Sequence, residues 1–142
     1  MNRVVITGAV GNLGSKLIEH LVCDDRVSEI VGLDLHPPAD DWVERLHRLH
    51  RAAKVRFVAC DLTDPFDSRW RNEMKNCDAV VHFAAKNPYP EASWGDANTS
   101  LDMTIHTSLA AVNSGARRFV FASSNHVMGR YKDQPLAGQI GP

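Results

Sequence analysis

The chain has 142 residues, 44% of them hydrophobic and 23% charged, with a formal net charge of −1. Such a length and composition support one globular domain with a true core, and a charge near zero supplies no overall field toward nucleic acid or membrane. The apolar runs are strand-sized, which excludes a membrane-spanning helix; Met1 leads into the first of them without a secretory pattern, and Cys23, Cys60 and Cys77 form neither C-x-x-C nor an even set, so reduced thiols in a cytoplasmic protein are expected, with no metal site.

Val4 to Thr7 predict a short buried strand. Gly8, Gly11 and Gly14 follow at intervals of three, and Leu13, Leu17, Ile18, Leu21 and Val22 mark the buried stripe of a helix. A second apolar run, Ile30 to Asp34, ends on a carboxylate. Two prolines in "HPPADD" make a loop, and Trp42, Leu46 and Leu49 then predict a modest amphipathic helix. "KVRFVACDL" is a third strand, ending at Asp61. Thr63 or Asp64 is the expected cap of a helix that Pro65 opens and that runs to about Lys75. "DAVVHFAA" is a fourth strand, and "KNPYPEASWGD" a loop of turn formers. A long helix is expected from about Ala97 to Ser114, stopped by Gly115. "RRFVFASS" is a fifth strand, and "RYKDQPLAGQIGP" has no clear period.

Strands alternate with helices, and each strand is apolar throughout rather than on one face. That pattern predicts an α/β domain over residues 1–142: a Rossmann-type doubly wound parallel sheet of order 3-2-1-4-5 in three αβα layers. The first turn of such a sheet receives a dinucleotide pyrophosphate, because helix N-terminal N–H groups lack partners and the helix dipole adds positive character there. Gly8 is expected to make the tight turn, Gly11 to admit the phosphates and Gly14 to let the helix lie on the sheet. The spacing, G-x-x-G-x-x-G, is one residue longer than the common form. Asp34 is placed to accept hydrogen bonds from the adenosine ribose and to repel a 2′-phosphate, favouring NAD over NADP; a helix- or turn-capping aspartate is the alternative. Asp61, with the Leu62 backbone, is expected beside adenine; a simple helix cap is the alternative.

"TGAVGNLG", "GLD", "CDLTD", "DAVVHFAA", the asparagine of "GDANTSL" and "RRFVFASSN" occur in this order. Together they resemble the extended short-chain dehydrogenases/reductases, the family of NAD-dependent sugar epimerases and dehydratases. "SSNHVMG" resembles, more narrowly, the end of the fifth strand of uronate dehydrogenases. The resemblance implies NAD as cofactor and a sugar or sugar acid as substrate. It places Gly8, Gly11, Asn12, Leu13 and Gly14 at the pyrophosphate, Asp34 and Leu35 at the ribose, and Asp61 and Leu62 at adenine. Ala84 and Ala85 are implied to admit the cofactor's ribose side, with Lys86 and Ser123 completing the cofactor set and Asn98 fixing local backbone. Ser124 matches the catalytic serine, which hydrogen-bonds the reacting oxygen. Asn87, Asn125 and His126 are the implied substrate contacts, although Asn125 as a turn cap and His126 as a solvent-facing loop residue are alternatives.

The family's acid/base pair, Y-x-x-x-K, has no match here: Tyr89 is followed four later by Ser93, and Tyr131 by Pro135. The expectation is therefore a C-terminally truncated chain, the cofactor-binding part of an oxidoreductase that is inactive alone. A non-catalytic dinucleotide-binding or sensor protein is the alternative, and catalysis by another base such as His126 a third. Arg118 to Ser123 would then form a sheet edge with Phe119, Val120 and Phe121 partly uncovered, and pairing into a homo-oligomer through that edge is expected. Arg45, Arg48, Arg51, Lys54 and Arg56 with His47 and His50 form a basic stretch, expected to be a solvated face because no nucleic-acid motif accompanies it. His47 and His50 lack a third ligand for zinc. Trp42 and Trp70 are expected in the core, and Trp94 packed, with a substrate-pocket border as its alternative.

Overall fold

The computed structural model describes residues 2–49, 54–88 and 90–123. In chain order the elements are β1 (Asn2–Thr7), α1 (Asn12–Leu21), β2 (Val27–Asp34), α2 (Asp40–Arg48), β3 (Val55–Ala59), α3 (Ser68–Met74), β4 (Ala79–His82), α4 (Trp94–Asn113) and β5 (Arg118–Phe121). The strands make one parallel sheet in the order β3-β2-β1-β4-β5. Register follows the chain directly: Val4 to Thr7 pair with Ile30 to Leu33 on one side and with Ala79 to His82 on the other.

Side chains alternate across the sheet, so each strand feeds two cores. Val5, Val31, Leu33 and Val80 face Trp70 and Met74 of α3 and Met103 and Ala111 of α4. Val4, Ile6, Ile30 and Val81 face Ile18 and Val22 near α1 and Trp42 and Leu46 of α2. Each such large side chain contributes about 1.5–3 kcal/mol by leaving water. Because both faces of the central strands are covered, they are apolar almost throughout, with Thr7 and His82 as buried polar exceptions, which explains their continuous rather than alternating pattern. At the N-terminal end of the sheet an ion-pair network ties the strands to α3. Arg3 meets Glu29 at 2.9 Å and Glu73 at 2.7 Å, and Arg56 bonds the same two carboxylates.

Several expectations need correction. α3 opens at Ser68 rather than at Pro65, and its cap is Asp67, whose side chain accepts from the Arg69 N–H. Neither Thr63 nor Asp64 caps it: Asp64 instead accepts from the Phe66 N–H at 2.8 Å, which closes a turn around Pro65. α4 begins three residues earlier than expected, at Trp94. Ser93 and Asp96 form a reciprocal capping box there, satisfying two orphan donors. Leu13 is 57% exposed and Leu49 38%, so neither belongs to a buried stripe. Trp94 is exposed, against the expectation that it packs, whereas Trp42 and Trp70 are buried. β5 ends at Phe121, two residues short of Ser123. Gly115 does stop α4, with φ of +73°. No helix among the described residues is long and apolar enough to cross a membrane.

Candidate functional site

β1 and β4 are neighbours in the sheet, yet α1 returns over one face and α4 over the other. Strand order therefore reverses between them, and a crevice opens at the C-terminal ends of the strands. The cleft there encloses about 660 Å³. One end is formed by Asp34, the last residue of β2, with Leu35 after it, and by Asp61 and Leu62 after β3; the other is formed by Ala84, Ala85 and Lys86 after β4. Gly8 and Gly11 lie between the two ends.

The glycine turn is built by close approach. Gly8 has φ of +66°, and a Cβ added there would meet the Ala84 nitrogen at 2.8 Å. Gly14 is buried in the first turn of α1, and a Cβ there would sit 2.2 Å from the Gly8 carbonyl oxygen. Gly11, exposed, is the N-cap of α1, and no side chain caps that helix or places an acid in its first turn. Ser, Thr, Asp and Asn at this position would fill a first-turn donor with their side-chain oxygen, which Gly cannot do; α2 also lacks a side-chain cap but carries Asp40 and Asp41 in its first turn. At α1 the first-turn N–H groups and the positive end of the dipole are left for an external anion, a cradle that fits the pyrophosphate implied by the resemblance.

Asp34 extends one oxygen back into this turn. Its Oδ2 accepts from the Val10 N–H at 3.0 Å, and its Oδ1 accepts from the His36 N–H at 3.3 Å. Asp61 accepts from the Thr63 N–H at 2.9 Å and from the Thr63 hydroxyl at 2.7 Å, so it closes a local turn. The Leu62 carbonyl is held by His106 Nδ1–H at 3.1 Å. Cys60 lines the cleft as a buried thiol whose pKa burial pushes up to about 12, which makes it an apolar wall rather than a nucleophile.

At the opposite end, Lys86 pairs with Asp96 at 3.0 Å. The Asp96 carboxyl is lowered to about 2 by the Ser93 side chain, the Ser93 backbone and Lys86. The Lys86 N–H also donates to Ser100 Oγ at 2.9 Å. The segment after β4 is thereby tied to the first turns of α4.

Of the residues singled out from sequence, Gly8, Gly11, Asp34, Leu35, Asp61, Leu62, Ala84, Ala85 and Lys86 line this one cleft. Asn12, Leu13 and Gly14 form the first turn of α1 beside it. Asn98 is exposed on α4, Asn87 and Ser123 are exposed, and none of the three lines the cleft walls among the described residues. Ser124, Asn125 and His126 lie outside the described residues, as do His50 and Arg51 of the basic stretch. Sequence reasoning missed Val10, Thr63, Phe83, Thr99 and Met103, all in the cleft lining. Thr99 and Met103 are four apart on α4, a spacing that puts them on one helix face; the cleft ends of the strands are needed to say which face matters.

The model of the NAD dependent epimerase/dehydratase family matches residues 4–141. An NAD-dependent glucose-6-phosphate dehydrogenase of Haloferax volcanii is 33% identical over 132 residues, covering 91% of this chain and 45% of that protein. A uronate dehydrogenase of Pseudomonas syringae pv. tomato is 32% identical over 150 residues, covering 99% of this chain and 46% of that protein. Among solved structures, a mutated uronate dehydrogenase superposes with a TM-score of 0.68 at 31% identity, over 89% of this chain and 40% of that one. A UDP-glucose-4-epimerase from Stenotrophomonas maltophila, with bound NAD and formylated UDP-arabinopyranose, gives 0.74 at 27% identity, over 91% and 39%. The chain thus spans less than half the length of the curated relatives it matches.

Proposed function

The chain belongs to the NAD dependent epimerase/dehydratase family, and from that premise we propose that it holds NAD in the cleft between the glycine turn, Asp34 and the segment Ala84–Lys86. One observation carries the reading: the uncapped N-terminus of α1 opens, through Gly11, into a cleft that the Asp34 carboxylate lines at the end of β2. The first-turn amides of Asn12, Leu13 and Gly14 would hold the pyrophosphate. Asp34 would accept from the ribose hydroxyls while keeping the Val10 N–H. Asp61 and Leu62 would flank adenine, with Thr99 and Met103 of α4 in the same lining. NAD, when bound, supplies a hydride acceptor at its nicotinamide ring.

For the whole protein the proposed reaction is oxidation at a carbon of a sugar or sugar acid. Ser124 is the proposed partner of the reacting oxygen, and Asn87, Asn125 and His126 the substrate contacts. The β5 edge is the proposed site of self-association: Val120 is 50% and Phe121 52% exposed on the last strand of the sheet.

Calorimetric titration with NAD and NADP tests the cofactor reading, with binding of NAD and weaker binding of NADP expected. No heat with either nucleotide, together with no displacement of a fluorescent analogue, would overturn it. Assays with galacturonate and glucuronate test the substrate class. Turnover of either by the 142-residue chain would assign the acid/base role to a residue outside a Y-x-x-x-K pair.

A further inference from the structure

The most buried titratable side chain in the described structure, His82, does not reach the cleft, yet its ring contacts with Thr7 and Thr104 lead there. His82 is 1% exposed and Thr7 and Thr107 are fully buried. Its Nδ1 lies 2.8 Å from Thr7 Oγ1 and 3.3 Å from Thr107 Oγ1, and its Nε2 lies 3.1 Å from Thr104 Oγ1.

The hydroxyl protons decide the tautomer. Thr104 donates to the Ser100 carbonyl at 2.9 Å, so it can only accept from Nε2; Thr107 donates to the Met103 carbonyl at 2.8 Å and, with its proton so used, only lies alongside Nδ1 at 3.3 Å. Thr7 Oγ1 already accepts from the Ala84 N–H at 3.2 Å, which leaves its own proton for His82 Nδ1. Nδ1 is then an acceptor, and Nε2 carries the proton that Thr104 receives. Phe119 and Phe121 stack beside the ring at 6.0 and 6.1 Å and offer it no competing acceptor.

Both ends of this chain of bonds arrive at the same cleft wall. One end is the Ala84 N–H. The other reaches Ser100, whose carbonyl accepts from Thr104 and whose hydroxyl accepts from the Lys86 N–H. Ala84 and Lys86 bound the wall on the β4 side, and Ala84 is the residue against which the Gly8 turn is packed. We infer that His82, as the neutral Nε2–H tautomer, is a positioning residue that clamps the cleft wall Ala84–Lys86 against the glycine turn through Thr7 on one side and Thr104 and Ser100 on the other. The inference rests on the proposed NAD site only for its effect on affinity; the clamp itself is a statement about the protein alone. A positioning role of this kind selects ligands long enough to cross the glycine turn and reach the β4 side. It leaves a ligand confined to the Asp34–Asp61 end untouched.

The test has two independent readouts on the full chain. First, nitrogen NMR of wild-type protein should show His82 neutral and protonated at Nε2 through pH 6 to 8, and Thr7→Val should weaken exchange protection of the Ala84 amide. An Nδ1–H tautomer, or an unchanged Ala84 amide, overturns the clamp whether or not the protein binds any nucleotide. Second, NAD and AMP affinities are compared for wild type, Thr7→Val, Thr7→Ser and Thr104→Val. Thr7→Val and Thr104→Val should weaken NAD about tenfold, the scale of one buried hydrogen bond, and leave AMP within about twofold. Thr7→Ser, which restores the hydroxyl, should recover NAD binding. Equal losses for AMP and NAD would mark a merely structural role and overturn the inference. Failure of wild type to bind NAD would sink the cofactor reading and leave the NMR result standing.

Discussion

The Asp34 carboxylate accepts a hydrogen bond from the Val10 N–H at 3.0 Å, so the end of β2 and the glycine turn after β1 are joined without any ligand between them. The residue that would read the ribose also holds the loop that would receive the pyrophosphate. Preorganisation of this type lowers the ordering cost of binding. Asp34→Ala should therefore weaken NAD by roughly 1–3 kcal/mol, the scale of lost charge-assisted hydrogen bonds, and should also loosen the turn in the free protein. Asp34→Asn retains an acceptor for Val10 and should show a smaller loss, with reduced discrimination against NADP. Calorimetry of the three proteins with both nucleotides checks this; a wild type that prefers NADP would contradict the assignment of Asp34.

Gly14 and Gly115 test close approach against backbone conformation. A Cβ at Gly14 meets backbone atoms of Gly8 and Ala9 at 2.2 and 2.8 Å, whereas one at Gly115 meets nothing within 4 Å. Gly14→Ala forces α1 off the sheet and should cost about 3 kcal/mol or more. Gly115→Ala, strained only by its positive φ, should cost about 1 kcal/mol. Urea denaturation should rank the two in that order, and equal midpoints would remove the packing explanation for Gly14.

Acid should destabilise the protein in two stages. Burial lowers the His82 pKa from 6.5 to about 4. Since the folded value lies below the unfolded one, the contribution of neutral His82 is complete above about pH 6.5. It declines as pH falls toward 4, because the unfolded chain takes up the proton first. The carboxylates form the second stage. Asp67, held mainly by the Arg69 side chain, and Asp96, held mainly by the Ser93 side chain, are both lowered from 3.8 to about 2, and Glu73 is lowered first by Arg56. The contribution of the two aspartates is present above about pH 4 and is lost between 4 and 2, and that of Glu73 is likewise lost as pH falls below its ordinary carboxylate range. Denaturant midpoints across pH 7.5 to 3 should show the upper limb in wild type. A properly folded His82→Phe variant should lack it; persistence of that limb would assign it to another histidine.

On the β5 edge, Val120→Lys puts a charge where strands from another molecule would pair. Sedimentation at increasing concentration should show less association than wild type, with an unchanged thermal midpoint because the side chain is half exposed. Identical sedimentation of the two proteins would locate self-association elsewhere.

By itself the sequence determined the strand order, the apolar centres of the strands, the glycine turn, the acid that ends β2 and the acid two residues past β3, whereas β3, β4 and β5 stop earlier than their apolar runs. The features so determined are local: apolar runs, residues with special backbone freedom, and carboxylates at or just past the points where strands stop. Helix starts were less legible. The reciprocal bonds of Ser93 and Asp96, and the choice of Asp67 over Thr63 and Asp64, depend on which donors remain unpaired after packing. Only the tertiary structure brought Thr7, His82, Thr104 and Thr107 within hydrogen-bond distance of one another. They are spread from residue 7 to residue 107, and in the chain each looks like an ordinary strand or helix residue. Parallel register sets Thr7 opposite His82, and α4 crosses above them; bonds of that range exist only once the sheet has formed.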